Sequence, residues 1–468
     1  MSRGRIEVRR FPDPSLGRRA LTVSMVFVSL VISLRFSGGH AADVSYILLA
    51  GYAFLGLPQV IQALVFSWMF TMINPGITLG DPAFGGVGRS IVVLSAFVSV
   101  MIHTRFWESA YKISRMSLIL FILALFLGFH SAFFSSIPDV SFLKATLWVT
   151  AAAASFSAWM NMSILEREQT ARWVFAVLVT LLVVSVALMF HPVGYFRHQH
   201  VFQGAMTHSQ TLGPVMAILG VWAASRIIGQ GEARAWLVLV ALSAIGMVFL
   251  SGARTAGVAM VLGLLAAAAV GLVFSRLTAR RFFFGLTDAR VLIGLMSLLV
   301  GGILFIPIVS SVWQEFLNQY ASQQGGVINQ YMASRGFLMD TMIENIRQGP
   351  LSGIGFGIAS NPEQMGVDRL GFLGIPVNAP VEKGLAPLAV LEELGIVGAV
   401  LVGIWVLMLI IGSSHGGLAP LAVVLCFLLI NLGEAFMFAA GGNGLLMLVL
   451  FGWAYAAGRI RRRGDCFG

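Results

Sequence analysis

Residues 116–137 read MSLILFILALFLGFHSAFFSSI, a run that contains no Asp, Glu, Lys or Arg. As a helix rising about 1.5 Å per residue it reaches about 33 Å, enough to cross the roughly 30 Å hydrocarbon core of a bilayer. The rest of the chain has the same character. Of its 468 residues, 58% are hydrophobic and 11% are charged, and the mean hydropathy is +0.88. A soluble globule would lack the charge to cover its surface, and a disordered chain would not carry so much apolar mass. The composition therefore predicts an all-α, polytopic integral membrane protein, with residues 1–468 forming a single membrane domain.

Candidate spans fall at 20–36, 45–57, 59–73, 87–102, 116–137, 140–160, 172–190, 205–225, 235–251, 253–275, 291–312, 385–411, 418–440 and 443–458. The stretch 45–73 is too long for one upright span and short for two. Gly56 and Pro58 are placed to bend it, so the count is 14, or 12 if this piece is re-entrant. With the N-terminus in the cytoplasm, 21 of the 30 basic residues fall inside. That assignment obeys the positive-inside rule and puts both termini in the cytoplasm. Six arginines precede the first apolar run, the pattern of a retained first span and not of a cleaved leader. The net charge of +10 belongs to these cytoplasmic loops, so no nucleic-acid partner is expected. Cys426 and Cys466 are expected to be free thiols.

Residues 313–384 interrupt the succession of spans as one long extracytoplasmic loop, and loops of that length usually carry function. Within it Met339, Met342, Ile343 and Ile346 recur at helical spacing, while Asp340, Glu344 and Arg347 take the other face. Ser334 can cap this amphipathic helix, and Gly349-Pro350 ends it. The following PLSGIGFG (350–357) lacks the Gly-Lys-Ser/Thr ending of a phosphate loop and reads as a tight glycine turn that lets backbones approach.

Polar residues gather at the outer ends of the spans. His208 and Gln210 lie in THSQTLGP (207–214), and Arg254 closes SGAR (251–254) at a turn between spans. Each has a plain structural reading, a helix-end hydrogen bond for the histidine and a snorkelling anchor for the arginine. Arg347 at a helix C-terminus is favoured by the dipole, whereas Arg335 at the N-terminal end is opposed by it. A planar, permanently charged fork suits a phosphate or pyrophosphate ligand. Glu382 and Lys383 open the span 385–411, either as a solvated helix start or as an acid–base and cation pair. Glu392, Glu393 and Glu434 sit in apolar runs, where carboxylates are costly and default to function. No metal-ligand spacing and no Ser-His-Asp arrangement is readable, and no cofactor is expected.

The SGAR turn, then SRGFLMDTMIENIRQGPLSGIGFG (334–357), then NAPVEKGLAPLAVLEELGIVG (378–398) resemble, in that order, the bacterial O-antigen polymerase and O-antigen ligase family. With THSQTLGP, the likeness covers roughly residues 200–410. It implies metal-independent glycosyl transfer outside the inner membrane, from a glycan on undecaprenyl pyrophosphate. It also implies contact with membrane lipids and with other polysaccharide-export components. By the resemblance Arg254 and Arg335 grip the donor pyrophosphate, with His208 and Gln210 beside them. Glu382 and Lys383 work near the acceptor, with Arg347 and Arg369 as further substrate contacts. Many ligases carry a His-Asn pair where this chain has Glu382-Lys383, which favours a polymerase of surface-polysaccharide repeat units over a ligase to lipid A core. The competing class is a transporter or flippase, which would place its polar cavity at mid-membrane.

Overall fold

The computed structural model describes residues 26–83, 85–104, 114–195, 201–232, 234–275, 277–294, 296–297, 336, 339–369, 374–381 and 383–464. These residues are mostly helical. Seven helices are long and apolar enough to cross a membrane: α4 (Gly85–His103), α5 (Arg115–Phe133), α6 (Pro138–Asn161), α7 (Ile164–Leu188), α8 (Ser209–Gln230), α10 (Arg254–Phe274) and α12 (Ala386–Ser414). Shorter apolar helices are α1 (Val26–Phe36), α3 (Leu57–Met72), α9 (Ala235–Leu250) and α13 (Leu418–Ile430). Further helices are α2 (Gly39–Tyr52), α11 (residues 339–348) and α14 (Gly442–Gly464). The candidate span 291–312 lies largely outside the described residues, as does the first part of the 313–384 loop.

The outward faces of these helices are apolar. In α10 the buried residues are Ala256, Ala259, Gly263, Ala267 and Gly271, a stripe of small side chains three and four apart. Gly263 packs on the backbone of Cys426 in α13, where a Cβ would come within 2.8 Å of the Cys426 Cα. Small residues permit this approach, and dispersion then holds the helices together where no hydrophobic drive exists between them. Val258, Val261, Leu265 and Leu272 of the same helix point outward. The central α8 is buried from Thr211 to Ala223 without interruption.

The stretch 45–73 is broken as expected, at the turn Ala53–Leu55 and Gly56. Its two helices return on each other. The Gly39 N–H bonds the Asp81 carbonyl, and Arg35 bonds the Phe70 carbonyl, so the start of α2 meets the end of α3. At the other tip the Ala53 carbonyl accepts the Ser99 hydroxyl at 2.6 Å, near the end of α4. Helices of 14 and 16 residues give about 21–24 Å, less than the full hydrocarbon thickness.

The helix ends sort into two faces. Residues 350–369 and 374–381 sit on one, called here the loop face, with the turns around 36–39, 133–138, 192–195, 201–208 and 431–441. The turns at 161–164, 230–232 and 414–418 form the other, where the Arg167 guanidinium bonds the Ala456 carbonyl at 3.0 Å. The expected amphipathic helix is present as α11: Met342 is fully buried while Glu344 and Arg347 are exposed. A short antiparallel pair follows it, β1 (Asp368–Arg369) with β2 (Pro376–Asn378), which the helical reading did not include.

Two departures shape the site. α12 is interrupted at Gly395, whose φ of 63° and ψ of −172° take it out of the helix. The break is filled by the glycine turn 350–357. Ile354 N–H and Gly355 N–H bond the carbonyls of Glu392 and Glu393 at 2.9 and 3.0 Å, and Ile396 N–H bonds the Pro350 carbonyl at 2.9 Å. Every backbone group named here finds a partner, which apolar surroundings demand. The turn is thus a close-packing device, as its sequence indicated. A Cβ on Gly395 would lie 2.2 Å from the Leu351 carbonyl oxygen. Gly395→Ala is therefore expected to lower stability by about 2–4 kcal/mol, through left-handed backbone strain plus overpacking. Unfolding in detergent checks this, with Gly403→Ala, which meets nothing within 4 Å, as the neutral control.

The second departure corrects the candidate span 418–440. α13 stops at Ile430, and 431–441 runs as irregular backbone. Glu434 therefore lies in a connection and not deep in a helix. Asn431 makes the exit: its side chain donates to the Phe427 carbonyl and accepts from Phe436 N–H. Its own carbonyl takes Ala386 N–H, and the Lys383 carbonyl takes Ala435 N–H, which binds the connection to the entry of α12.

Candidate functional site

On the loop face, the N-terminal portions of α4, α6 and α12, down to Leu147 and Glu393 in their third turns, border a cavity of about 270 Å³. Strand β2 and the residues after it supply one wall through Pro376, Val377, Ala379 and Pro380. The irregular segment 435–441 supplies another.

Three cations face the space, each from a different segment: Arg89 of α4, Lys144 of α6 and Lys383 before α12. Arg89 is accommodated by Gly441, where a Cβ would come within 2.3 Å of the guanidinium. Glu393, in α12, is the carboxylate on the wall. Lys383 is only 5% exposed and Glu392 not at all. Lys383 Nζ lies 2.7 Å from Glu392 Oε2 and 3.0 Å from Glu393 Oε1. The other Glu392 oxygen accepts from Asn345 of α11 at 2.7 Å, and that amide also donates to the Ser360 carbonyl. The other Glu393 oxygen accepts Gly357 N–H at 2.6 Å, and the Gly357 carbonyl accepts from Lys144 Nζ at 2.6 Å. The loop, the broken helix and α6 are thus joined through one cluster. With Arg89 across the space, three cations stand against two carboxylates, which leaves one net positive charge.

An aromatic cluster stands behind the wall at Phe438. Trp148 donates its indole N–H to the Met437 carbonyl at 3.0 Å, and its ring packs against Phe356, Phe438 and Trp405. Phe438 also lines the cavity.

Of the residues singled out from sequence, Lys383 and Glu393 line this cavity. The plainer reading of Lys383 as a solvated helix start does not describe a side chain so buried. His208 is half-buried at the N-cap of α8, beside Thr207, whose N–H bonds the Met72 carbonyl. Gln210 is exposed in the first turn of that helix. Arg254 is exposed at the start of α10, and its neighbour Thr255 packs on Gly433. Arg347 is exposed, 3.9 Å from Glu344. Arg369 pairs with Asp139 at 2.5 Å and bonds the Gly374 carbonyl. None of these five lines the cavity. Arg335 and Glu382 lie outside the described residues, and so does any approach of Arg335 to Arg254.

Sequence reasoning missed Arg89 and Lys144 as site residues. Both belong to the minority of basic residues that the charge map puts outside, and both sit a turn or more inside an apolar helix. A cation drawn into a span's first turns without a local partner is the signal that was there to use. No protein-family model matches the chain, and no curated protein is significantly similar to it.

Proposed function

We propose that the protein is a bacterial inner-membrane glycosyltransferase of the O-antigen polymerase and ligase kind. It takes its donor glycan from an undecaprenyl-pyrophosphate carrier on the extracytoplasmic side. The observation that carries this reading is the cavity itself: Arg89, Lys144 and Lys383 around one space, a carboxylate on the wall, at the loop-face ends of apolar helices. The diphosphate of a lipid-linked donor lies at headgroup level, where those ends would stand. As the sugar departs, negative charge builds on the diphosphate, and fixed cations stabilise it with no reorganisation at the moment of reaction. The guanidinium supplies a bidentate fork and the ammonium a point charge. A carboxylate beside them can accept the acceptor's hydroxyl proton.

Polymerisation of surface-polysaccharide repeat units is the favoured form, because a polymerase holds two carrier diphosphates and needs two cationic positions. The cavity serves one. Arg254 on the same face, with Arg335 by the resemblance, serves the other. The transporter reading draws on the broken helix α12, but the backbone groups freed there bond the 350–357 turn and offer no coordination to a passing solute.

Surface polysaccharide from a deletion strain tests the function. Single repeat units left on the carrier are expected. Long chains not joined to lipid A core would mean a ligase instead, and unaltered polysaccharide would remove both. Sidedness has its own check, in a background lacking Cys466. Glu363→Cys is expected to react with a membrane-impermeant maleimide once the outer membrane is permeabilised, and Arg281→Cys only after lysis. The reverse pattern would invert the topology.

A further inference from the structure

Lys383 holds two carboxylates that are not equivalent. Glu392 is the nearer, at 2.7 Å against 3.0 Å, and is fully enclosed, with its second oxygen fixed by Asn345. It has no face on the cavity. Glu393 does line the cavity, and its second oxygen is fixed by Gly357 N–H. Breaking the inner pair would strand a buried charge, which is strongly unfavourable. Breaking the outer pair exposes each partner to the space that an entering anion fills. The contact between Lys383 and Glu393 Oε1 is thus the one in the cluster that an anion can replace.

We propose that Lys383 is an exchangeable counter-ion: a diphosphate entering the cavity takes Lys383 over from Glu393, and Glu393 Oε1 is released as the proton acceptor for the incoming hydroxyl. The idea rests on the function proposed above, which makes the anion a diphosphate. Glu392 and Asn345 keep the ammonium in place during the exchange. In the transfer step the acceptor's hydroxyl proton passes to Glu393 Oε1, and the acceptor oxygen bonds to the anomeric carbon. The bond from that carbon to the diphosphate oxygen breaks, and its electron pair leaves with the diphosphate, held by Arg89, Lys144 and Lys383. With no donor bound, Oε1 stays engaged by Lys383, so water entering the cavity meets no open base. The arrangement makes the base available only when there is something to transfer.

Calorimetric titration of the purified full-length protein with inorganic pyrophosphate tests the exchange. Glu393→Gln removes the competitor and is expected to tighten pyrophosphate binding about tenfold, a change of about 1.4 kcal/mol. The comparison background is Lys383→Gln with Glu392→Gln, which removes one charge of each sign. There Glu393→Gln is expected to change affinity by no more than about twofold. Equal tightening in both backgrounds is a general charge effect and overturns the exchange while leaving the anion cavity standing. No binding of pyrophosphate by the wild-type protein overturns the proposed function and the exchange together. Should the paired background fail to fold, infrared difference spectra decide: pyrophosphate is expected to shift a carboxylate stretch in the wild type that Glu393→Gln lacks. An identical difference spectrum in the two proteins overturns the exchange. So does a Glu393→Gln protein that transfers at the wild-type rate.

Discussion

Lys383→Ala is expected to cost about 3–5 kcal/mol of stability, enough to unfold many proteins of ordinary stability. The reason is not the loss of a surface cation. The substitution leaves Glu392, fully enclosed, and Glu393, nearly so, facing each other without the ammonium that lies 2.7 and 3.0 Å from them. Removing one partner of a buried ion cluster is far worse than removing all of it. Lys383→Met combined with Glu392→Gln and Glu393→Gln is accordingly expected to recover most of the loss. Thermal unfolding in detergent, read with the amount of folded protein recovered from membranes, checks both halves. A Lys383→Ala protein as stable as the wild type would mean that the cluster does not hold the broken helix to the loop. The consequence reaches function, since loss of polysaccharide in a Lys383→Ala strain reports instability until folding has been measured.

Arg89→Ala and Lys144→Ala are each expected to slow transfer by about 10²–10³-fold, the usual effect of deleting one fixed donor from a site where charge develops. Neither is expected to unfold the protein. Arg89 faces a cavity and packs against Gly441, and no carboxylate among the described residues is paired with it or with Lys144 at ion-pair distance. Arg89→Lys is expected to recover little, because an ammonium does not reproduce two parallel N–H donors. Lys144→Arg has a different difficulty: the Lys144 stem lies against Gly357, with its Cδ 2.7 Å from where a Cβ would stand, so a bulkier head must displace the turn. Rates are read on folded protein with lipid-linked substrate. A rate within threefold of wild type for Arg89→Ala would take the guanidinium out of the chemistry.

What the sequence makes legible follows from local physics. Apolar runs long enough to span, the break at Gly56 and Pro58, and the alternation of Met342 with Glu344 and Arg347 are all properties of neighbouring residues. So is the close-packing role of PLSGIGFG. The interruption of α12 is not. Leu394-Gly395-Ile396 reads as one more apolar turn, and what opens it is the insertion of residues 350–357, some forty positions upstream. The same holds for 431–441, where Asn431 ends α13 by bonds to its own last turn and to the entry of α12. The GGNG at 441–444 marks the restart but not the length of the gap. The site was half legible. Glu393 stood out as a costly carboxylate and Lys383 as a cation at the mouth of a span, yet their mutual pairing needs the broken helix. Arg89 and Lys144 lie some 55 residues apart on helices that periodicity does not place side by side. His208, Gln210, Arg254, Arg347 and Arg369 do not line the cavity with them, and standing near one end of the helices is a weaker condition than sharing a cavity.

The central claim is transfer of glycan from a diphosphate carrier by this chain alone, and reconstitution addresses it most directly. Purified protein in lipid nanodiscs is given undecaprenyl-pyrophosphate-linked repeat units with no lipid A core, and the products are resolved by length. The expected result is a ladder of repeat-unit multiples that is absent with the folded double variant Arg89→Ala, Lys144→Ala. No ladder from the wild-type protein in the presence of its native repeat unit, or an undiminished ladder from the double variant, would contradict it.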